Sequence, residues 1–373
     1  MKSFWQGLPK PFFAMAPMKD VTDAAFRALV ARRGAPDVYW TEFVSADGLY
    51  HTREIQKMKD EDPTSLGSYE GHRNPLMRDL VYGADQHPIV APQGHFHFPN
   101  PGYREGKLVA PQGHFHFPSP GYREGKLVAQ IFSDKPEMIA YAAKLVAELG
   151  FDGVDINMGC PDRSVEKQGA GAALIKSPEK ARAIIRAAKA ASNLPVSVKT
   201  RVGYNKETLD EWLPALLEEA PAAITLHLRT RKELSLVSAH WELMKRAVEL
   251  RDQIAPEVLL IGNGDVTSVA EGKRLAKETR CDGIMIGRGM FGNPWVFAGR
   301  TSDDTPLAEK LAALIELAHG FENLSPPKNF AILKKHIKAF VTGFDGAAHF
   351  RAKLMEAENV TELEQILKTS SYV

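Results

Sequence analysis

Five short polar clusters interrupt an otherwise apolar pattern in this chain. They are Asp155-Ile156-Asn157-Met158-Gly159-Cys160-Pro161, Lys199-Thr200-Arg201, His227-Leu228-Arg229-Thr230-Arg231, Gly262-Asn263-Gly264-Asp265 and Gly287-Arg288-Gly289. One such cluster is within the reach of accident; five in succession mark a site. Cys160 lies between Gly159 and Pro161, among polar neighbours. A thiol with an ordinary pKa of about 8.5 is mostly protonated at neutral pH, so it serves as an acid as readily as a nucleophile. Neither a CxxC pair nor a second nearby cysteine supplies metal ligands, so the site is not a zinc site. Cys281, at the entry to an apolar run, reads instead as a small buried hydrophobe. The glycines around Asn263 and Arg288 let backbone N–H groups approach an anion, and Arg288 adds a bidentate contact. His227, beside Arg229, reads as a ligand contact.

Elements that would position these clusters follow from the spacing. Apolar runs occur at 11–17, 38–44, 127–132, 153–159, 195–201, 223–229, 258–264 and 283–289. Helical patterns lie between them, at Pro136–Leu149, Pro178–Ala191, Thr208–Glu219 and Trp241–Ile254. Near-continuous apolar strands alternating with helices predict a parallel sheet covered on both faces, and eight repeats predict a (β/α)8 TIM barrel. A doubly wound open sheet is the rival, but no GxGxxG follows an early strand. In the barrel, function gathers at the carboxyl ends of the strands, and the loops after strands seven and eight commonly hold phosphate. The barrel pattern ends near Arg300. After a polar linker, Thr301–Pro306, two or three helices are expected over Leu307–Leu367. The division predicted is a barrel domain over 1–302 and a C-terminal helical domain over 303–373.

The chain has 373 residues, 44% of them hydrophobic, which accommodates a barrel and a smaller domain. Its net charge of +1 announces no nucleic-acid partner, so any RNA contact must come from a local basic patch. Two cysteines make a disulfide framework unlikely and a reducing compartment the default. The apolar patch near the start is fenced by Pro9, Pro11 and Pro17 and reads as a strand rather than a signal peptide. No run reaches membrane-spanning length, so no membrane contact and a cytoplasmic location are expected.

One segment breaks the pattern. Residues 92–110 and 111–129 are a tandem duplication of nineteen residues that differs only at Asn100 and Ser119. Each copy has an alternating His-Phe segment, a Pro-Gly pair and a second segment ending Leu-Val-Ala, which predicts an inserted tandem β-hairpin repeat turning at the Pro-Gly. His95/His97 and His114/His116 sit two apart on one strand face, without carboxylate or cysteine partners; a solvated hairpin face is the better reading than a metal site.

The segments APMKDVTDAAFR (16–27), DINMGCP (155–161), KQGAGAAL (167–174), VKTRVGY (198–204), LHLRTR (226–231), GNGD (262–265) and GIMIGRGMFGNPW (283–295) together resemble the tRNA-dihydrouridine synthase family. The resemblance implies an FMN-containing barrel reduced by NADPH, a helical domain that grips tRNA, and no DNA partner. It places the family's flavin contacts on Pro17, Met18 and Lys19, on Gln130, on Lys199 and His227, on Asn263, Gly264 and Asp265, and on Gly287 and Arg288. Cys160 takes the proton-donor position, and Asn157 and Arg201 lie near the substrate uracil. Lys19 stands where a small residue is usual. Lys334, Lys335 and Lys338 are the expected RNA contacts of the tail, in a basic cluster with His336, Arg351 and Lys353. The implied chemistry is reduction of a uracil C5–C6 double bond, with a hydride to C6 and a proton to C5.

Three other readings fit parts of the pattern: a flavin barrel acting on a free dihydropyrimidine, a non-catalytic RNA-binding descendant, and a lyase using Lys199 as a Schiff base. A colourless protein that refuses FMN would favour the second; borohydride trapping would reveal the third. The duplication offers its own test. Removing 92–129 joins Ala91 to Gln130 and regenerates a continuous apolar run, His87 to Phe132 reading HPIVAQIF. Because the insert precedes its strand, it should emerge at the amino end of the barrel, away from the chemistry. The shortened protein is expected to keep FMN and tRNA reduction. A deletion that stays folded and loses activity would overturn this placement.

Overall fold

Strands this apolar must be covered on both faces, and a closed sheet ringed by helices covers them. The computed structural model describes residues 3–51, 102–104, 107–109, 125–324 and 327–370. Eight parallel strands close a barrel: β1 (Phe12–Met15), β2 (Val38–Ser45), β3 (Lys126–Phe132), β4 (Gly153–Met158), β5 (Val196–Arg201), β6 (Ala223–His227), β7 (Leu259–Asn263) and β8 (Gly283–Ile286). Each pairs with the next, and β8 closes on β1 with Phe12 opposite Gly283. All eight coincide with the apolar runs of the sequence, so the (β/α)8 TIM barrel is the fold. Around it stand α1 (Ala24–Gly34), α2 (Pro136–Glu148), α3 (Pro178–Ala191), α4 (Leu209–Leu217), α5 (Leu243–Ile254) and α6 (Val269–Thr279). Asp23 starts α1 by accepting the Phe26 N–H, and Ser268 starts α6 by accepting that of Glu271.

Strand β3 contains the last residues of the second repeat. Lys126, Leu127 and Val128 pair with Val38, Tyr39 and Trp40, and Gln130 comes opposite Asp155 of β4. The Leu-Val-Ala ending therefore supplies strand residues, and the register that keeps Gln130 facing inward is preserved. In the first repeat, Gly102–Arg104 and Lys107–Val109 form a two-stranded antiparallel pair. This corrects the expected turn: Gly102 of the Pro-Gly is already paired, opposite Val109, and Arg104 pairs with Lys107 at the other end of the pair. The paired histidines at 95, 97, 114 and 116 lie outside the described residues.

After the linker the described residues form four helices, rather than two or three: α7 (Leu307–Glu322), α8 (Lys334–Phe340), α9 (Ala347–Leu354) and α10 (Val360–Lys368). Gly343 and Gly346, at φ 82° and 78°, break the chain between α8 and α9, and the Asn359 cap starts α10. Helix α7 packs on α1, and Leu314, Phe321, Phe340, Phe350 and Leu363 join the same apolar core as the barrel. A buried ion-pair cluster adds to this contact: Lys328 Nζ lies 2.5 Å from Glu42 on β2 and 3.5 Å from Asp23 at the start of α1.

At the barrel's other end, the buried Asp282 carboxylate accepts from Arg251 Nη1 (2.6 Å), the Leu260 N–H (2.9 Å) and Lys10 Nζ (2.6 Å). Burial pushes its carboxyl up, but these three donors outweigh burial and hold it below the ordinary 3.8. A depressed carboxyl stabilises the fold above its unfolded value, and that contribution is lost as pH falls through the folded one. Asp282→Ala takes from Arg251 its buried carboxylate, leaving the exposed Asp252 and the Val258 carbonyl, and should cost about 3–5 kcal/mol in urea unfolding at neutral pH. The deficit should shrink below about pH 4, where the wild type loses the same interaction; a deficit independent of pH would refute the assignment.

Candidate active site

The carboxyl ends of the strands surround a cavity of about 530 Å³. Pro17 and Met18 enter from β1, Gln130 from β3, Asn157 and Cys160 from β4, Lys199 and Arg201 from β5, and His227 from β6. Asn263, Gly264 and Asp265 follow β7, and Gly287 and Arg288 follow β8. The register accounts for the convergence: Asn157 is opposite Lys199, and Arg201, His227 and Asn263 form one row across three strands. Of the expected cofactor positions, Lys19 alone is absent from the lining; its side chain is exposed, and its charge is felt by Asp162 at the rim.

Backbone and side chains lock the Cys160 loop from two sides. Asn157 Oδ1 accepts from the N–H groups of Gly159 (3.1 Å) and Cys160 (2.9 Å). Arg201 Nε donates to the Gly159 carbonyl (2.8 Å), and its Nη1 donates to the carbonyls of Thr230 and Leu234 (both 3.0 Å). Lys199 Nζ donates to Asn263 Oδ1 at 3.2 Å, and Asn263 Nδ2 donates to the Met285 carbonyl. Among the described residues Lys199 makes no other hydrogen bond that would occupy its remaining protons.

Arg229 carries a role that its place in the sequence did not reveal. It is buried, donates to the Val237 carbonyl (2.7 Å) and to Asp265, and lies 3.2 Å from His227 Nε2. Asp265, at φ 58°, also accepts from Arg288 Nη2 (2.6 Å) and the Ala239 N–H (2.9 Å). The carboxylate expected to touch a ligand thus orients two arginines. The signal for Arg229 was its place two residues after His227, on the same side of the chain. Asp155 also belongs to one of the strand-end clusters, where its spacing alone assigns it no role. It is a wholly buried carboxylate, and burial pushes it up to about 6, against donors from Gln130 and Ser197.

The cavity is electropositive. Lys199, Arg201, Arg229 and Arg288 line it with Asp265 as the one carboxylate in the lining. Burial, then the charge of Arg201, lowers Lys199 to about 8. Burial pushes the Cys160 thiol above its ordinary value, with Lys199 and Arg201 resisting. Burial and the surrounding cations drive His227 far below the ordinary imidazole value, so the ring is neutral. Such a site takes an anion beside an uncharged imidazole and a protonated thiol.

The tail cations do not reach this cavity. Lys334 Nζ donates to the Met355 carbonyl (2.6 Å), Lys335 lies 3.4 Å from Asp20 in the loop after β1, and Lys338 is exposed. His336 leaves the expected basic cluster: it is buried between Phe26 and Phe291, with ring centroids at 4.9 and 5.1 Å. Helical geometry accounts for this, because 336, 337 and 340 share the packed face of α8. Burial lowers His336 to about 4.

Known proteins share this arrangement of sequence. Residues 14–67 and 112–372 match the family described as Dihydrouridine synthase (Dus). The unmatched stretch, 68–111, contains the first repeat. A "Probable tRNA-dihydrouridine synthase" of Staphylococcus aureus (strain Mu50 / ATCC 700699) is 36% identical over 369 residues, covering 98% of this chain and 95% of that protein. "Probable tRNA-dihydrouridine synthase 2" of Bacillus subtilis (strain 168) is 35% identical over 370 residues, covering 98% and 96%. Among solved structures, morphinone reductase aligns with a TM-score of 0.47 at 12% identity, over 79% of this chain and 86% of that one.

The electrostatics of the cavity are testable without any ligand. In ¹⁵N NMR the His227 ring should remain neutral between about pH 5 and 8, the range in which an ordinary histidine changes charge. His240, whose pKa is raised by its hydrogen bond to Glu233, should take up its proton within that range and above 6.5. Protonation of His227 in the same window would show that burial and the four cations do not act on the ring as described.

Proposed function

Since the chain belongs to the dihydrouridine synthase family, we propose that it reduces specific uridines of tRNA to 5,6-dihydrouridine, with FMN in the cavity, NADPH as reductant and Cys160 as proton donor. The observation that carries this reading is the placement of Cys160. Its protonated thiol stands on the wall of a cation-lined cavity, with the backbone on either side of Gly159 held by Asn157 and Arg201.

The residues present fit FMN. A phosphate answers the excess of cations, and Arg288 with the backbone at Gly264 and Gly287 would hold it. A Cβ built on Gly287 meets nothing nearer than 3.5 Å, so its backbone stands open to the cavity. The unspent protons of Lys199, with Gln130 and neutral His227, suit the polar edge of a flavin ring, with Pro17, Met18 and the Lys19 backbone alongside. Bound there, FMN supplies hydride chemistry. Cys160 then delivers its proton to uracil C5, where charge develops once C6 has been reduced. Asn157 and Arg201 keep the thiol's loop rigid while lining the space next to the base. The target base leaves its stack to enter, at a cost of roughly a few kcal/mol.

On this reading 1–302 is the catalytic domain and 303–373 grips the tRNA. Lys338 stands ready for phosphate, and Lys334 and Lys335 would exchange the Met355 carbonyl and Asp20 for it. On the same reading the protein works in the cytoplasm. Cys160→Ala should retain FMN and its reduction by NADPH, while dihydrouridine formation falls about 10²–10⁴-fold. Anaerobic mixing of the reduced enzyme with tRNA, followed by flavin absorbance and mapping of dihydrouridine, reads both steps. A colourless wild type that leaves tRNA unmodified would sink the proposal; full turnover by the alanine variant would remove Cys160 from it.

A further inference from the structure

Beneath the cavity runs a chain of hydrogen bonds that neither phosphate binding nor proton donation explains. Asp155 Oδ2 accepts from Gln130 Nε2 at 2.7 Å. Gln130 Oε1 accepts from Asn157 Nδ2 at 3.0 Å. Asn157 Oδ1 accepts from the backbone of Gly159 and Cys160. The other oxygen of Asp155 accepts from Ser197 Oγ at 2.6 Å, and the Gln130 N–H is fixed by Thr41 Oγ1 at 3.0 Å. Asp155, Gln130 and Asn157 are all buried.

The order of donors and acceptors is dictated from the Cys160 end. An amide side chain has one accepting and one donating end. Two backbone N–H groups oblige Asn157 to turn Oδ1 toward the Gly159–Cys160 loop. Its Nδ2 then faces Gln130, which must answer with Oε1. That leaves Gln130 Nε2 pointing down into the barrel, where only an acceptor closes the chain. If nothing accepted there, the Gln130 amide would lose its preferred orientation, and a turned amide would set Nε2 against Nδ2 of Asn157.

We propose that Asp155 is a positioning residue: as the acceptor at the base of the chain it sets Gln130 and Asn157, and so holds the Cys160 backbone and presents the thiol to the substrate. The proton transfer assigned to Cys160 rests on the function proposed above; the structural part of the claim does not. Gln130 also lines the cavity, so the same acceptor decides which end of its amide faces a bound ring.

The requirement is for an acceptor rather than for charge, and two substitutions separate these. Asp155→Asn can offer Oδ1 to Gln130 and its amide to Ser197. Asp155→Leu can offer nothing. In the leucine variant, hydrogen exchange at the Gly159 and Cys160 amides should quicken by about ten-fold or more. Reoxidation of the reduced holoenzyme by tRNA should slow by about ten-fold or more, because a displaced donor loses its alignment. Reduction by NADPH, which shares the Gln130 contact but does not use the thiol, should slow by clearly less than reoxidation does. The asparagine variant should restore exchange and reoxidation to near the wild-type values.

Unchanged exchange in Asp155→Leu, an asparagine variant as loose as the leucine one, or equal loss in both half-reactions would each overturn the proposal. Should the leucine variant fail to fold, Gln130→Met breaks the chain one link higher, and unchanged exchange at Gly159 and Cys160 there overturns it equally. If the wild type proves unable to reduce tRNA, the tRNA reading falls, and amide exchange alone decides the role of Asp155.

Discussion

A barrel strand covered on both faces has nowhere to put a polar side chain except at its end, and this constraint shapes the whole molecule. The interiors of β1 to β8 are apolar and buried, so the polar groups that survive collect on one rim. The parallel register then brings them level, with Arg201, His227 and Asn263 in one row and Asn157 beside Lys199. The exceptions below the rim are informative for the same reason. Asp155 and Gln130 lie within the barrel and are tolerated because each is hydrogen-bonded, with the chain leading to the Cys160 loop.

Charge is managed with similar economy. The cavity lining gathers four cations and one carboxylate, Asp265, which binds Arg229 and Arg288 together. That pairing orients the two guanidiniums without neutralising the site. Burial, together with the remaining positive potential, keeps His227 neutral, and burial keeps the Cys160 thiol protonated. An anion-binding wall and a proton donor therefore coexist in one cavity.

The helical tail is built into the barrel. Lys328 reaches the acids of β2 and α1, Lys335 lies near Asp20, and α7 packs on α1. Asp20 belongs to the same loop as Met18, which lines the cavity, so the tail and the cavity wall share one loop. The cost is that Lys334 and Lys335, which read in sequence as part of a free basic face, are partly engaged within the protein.

Alternation of apolar runs and helical patterns was enough to place all eight strands, because a strand buried on both faces carries that requirement in its own residues. Polar strand ends were legible for the same reason, and so the sequence located Cys160, Lys199, His227 and Arg288 in one site. The repeat was legible as a duplication, and its Leu-Val-Ala ending as strand, but its turn was misplaced because Pro-Gly pairs mark turns without saying which strands they join. What the sequence left open depends on partners distant along the chain. Arg229 and Asp265 are thirty-six positions apart, and Asp155 and Gln130 twenty-five. His336 has the composition of a basic surface, yet its place between Phe26 and Phe291 is set by the packing of α8 on the barrel. Local pattern fixes which face a residue shows; closure of the barrel and docking of the tail decide what meets it there, because those contacts exist only once the ends of the chain have been brought together.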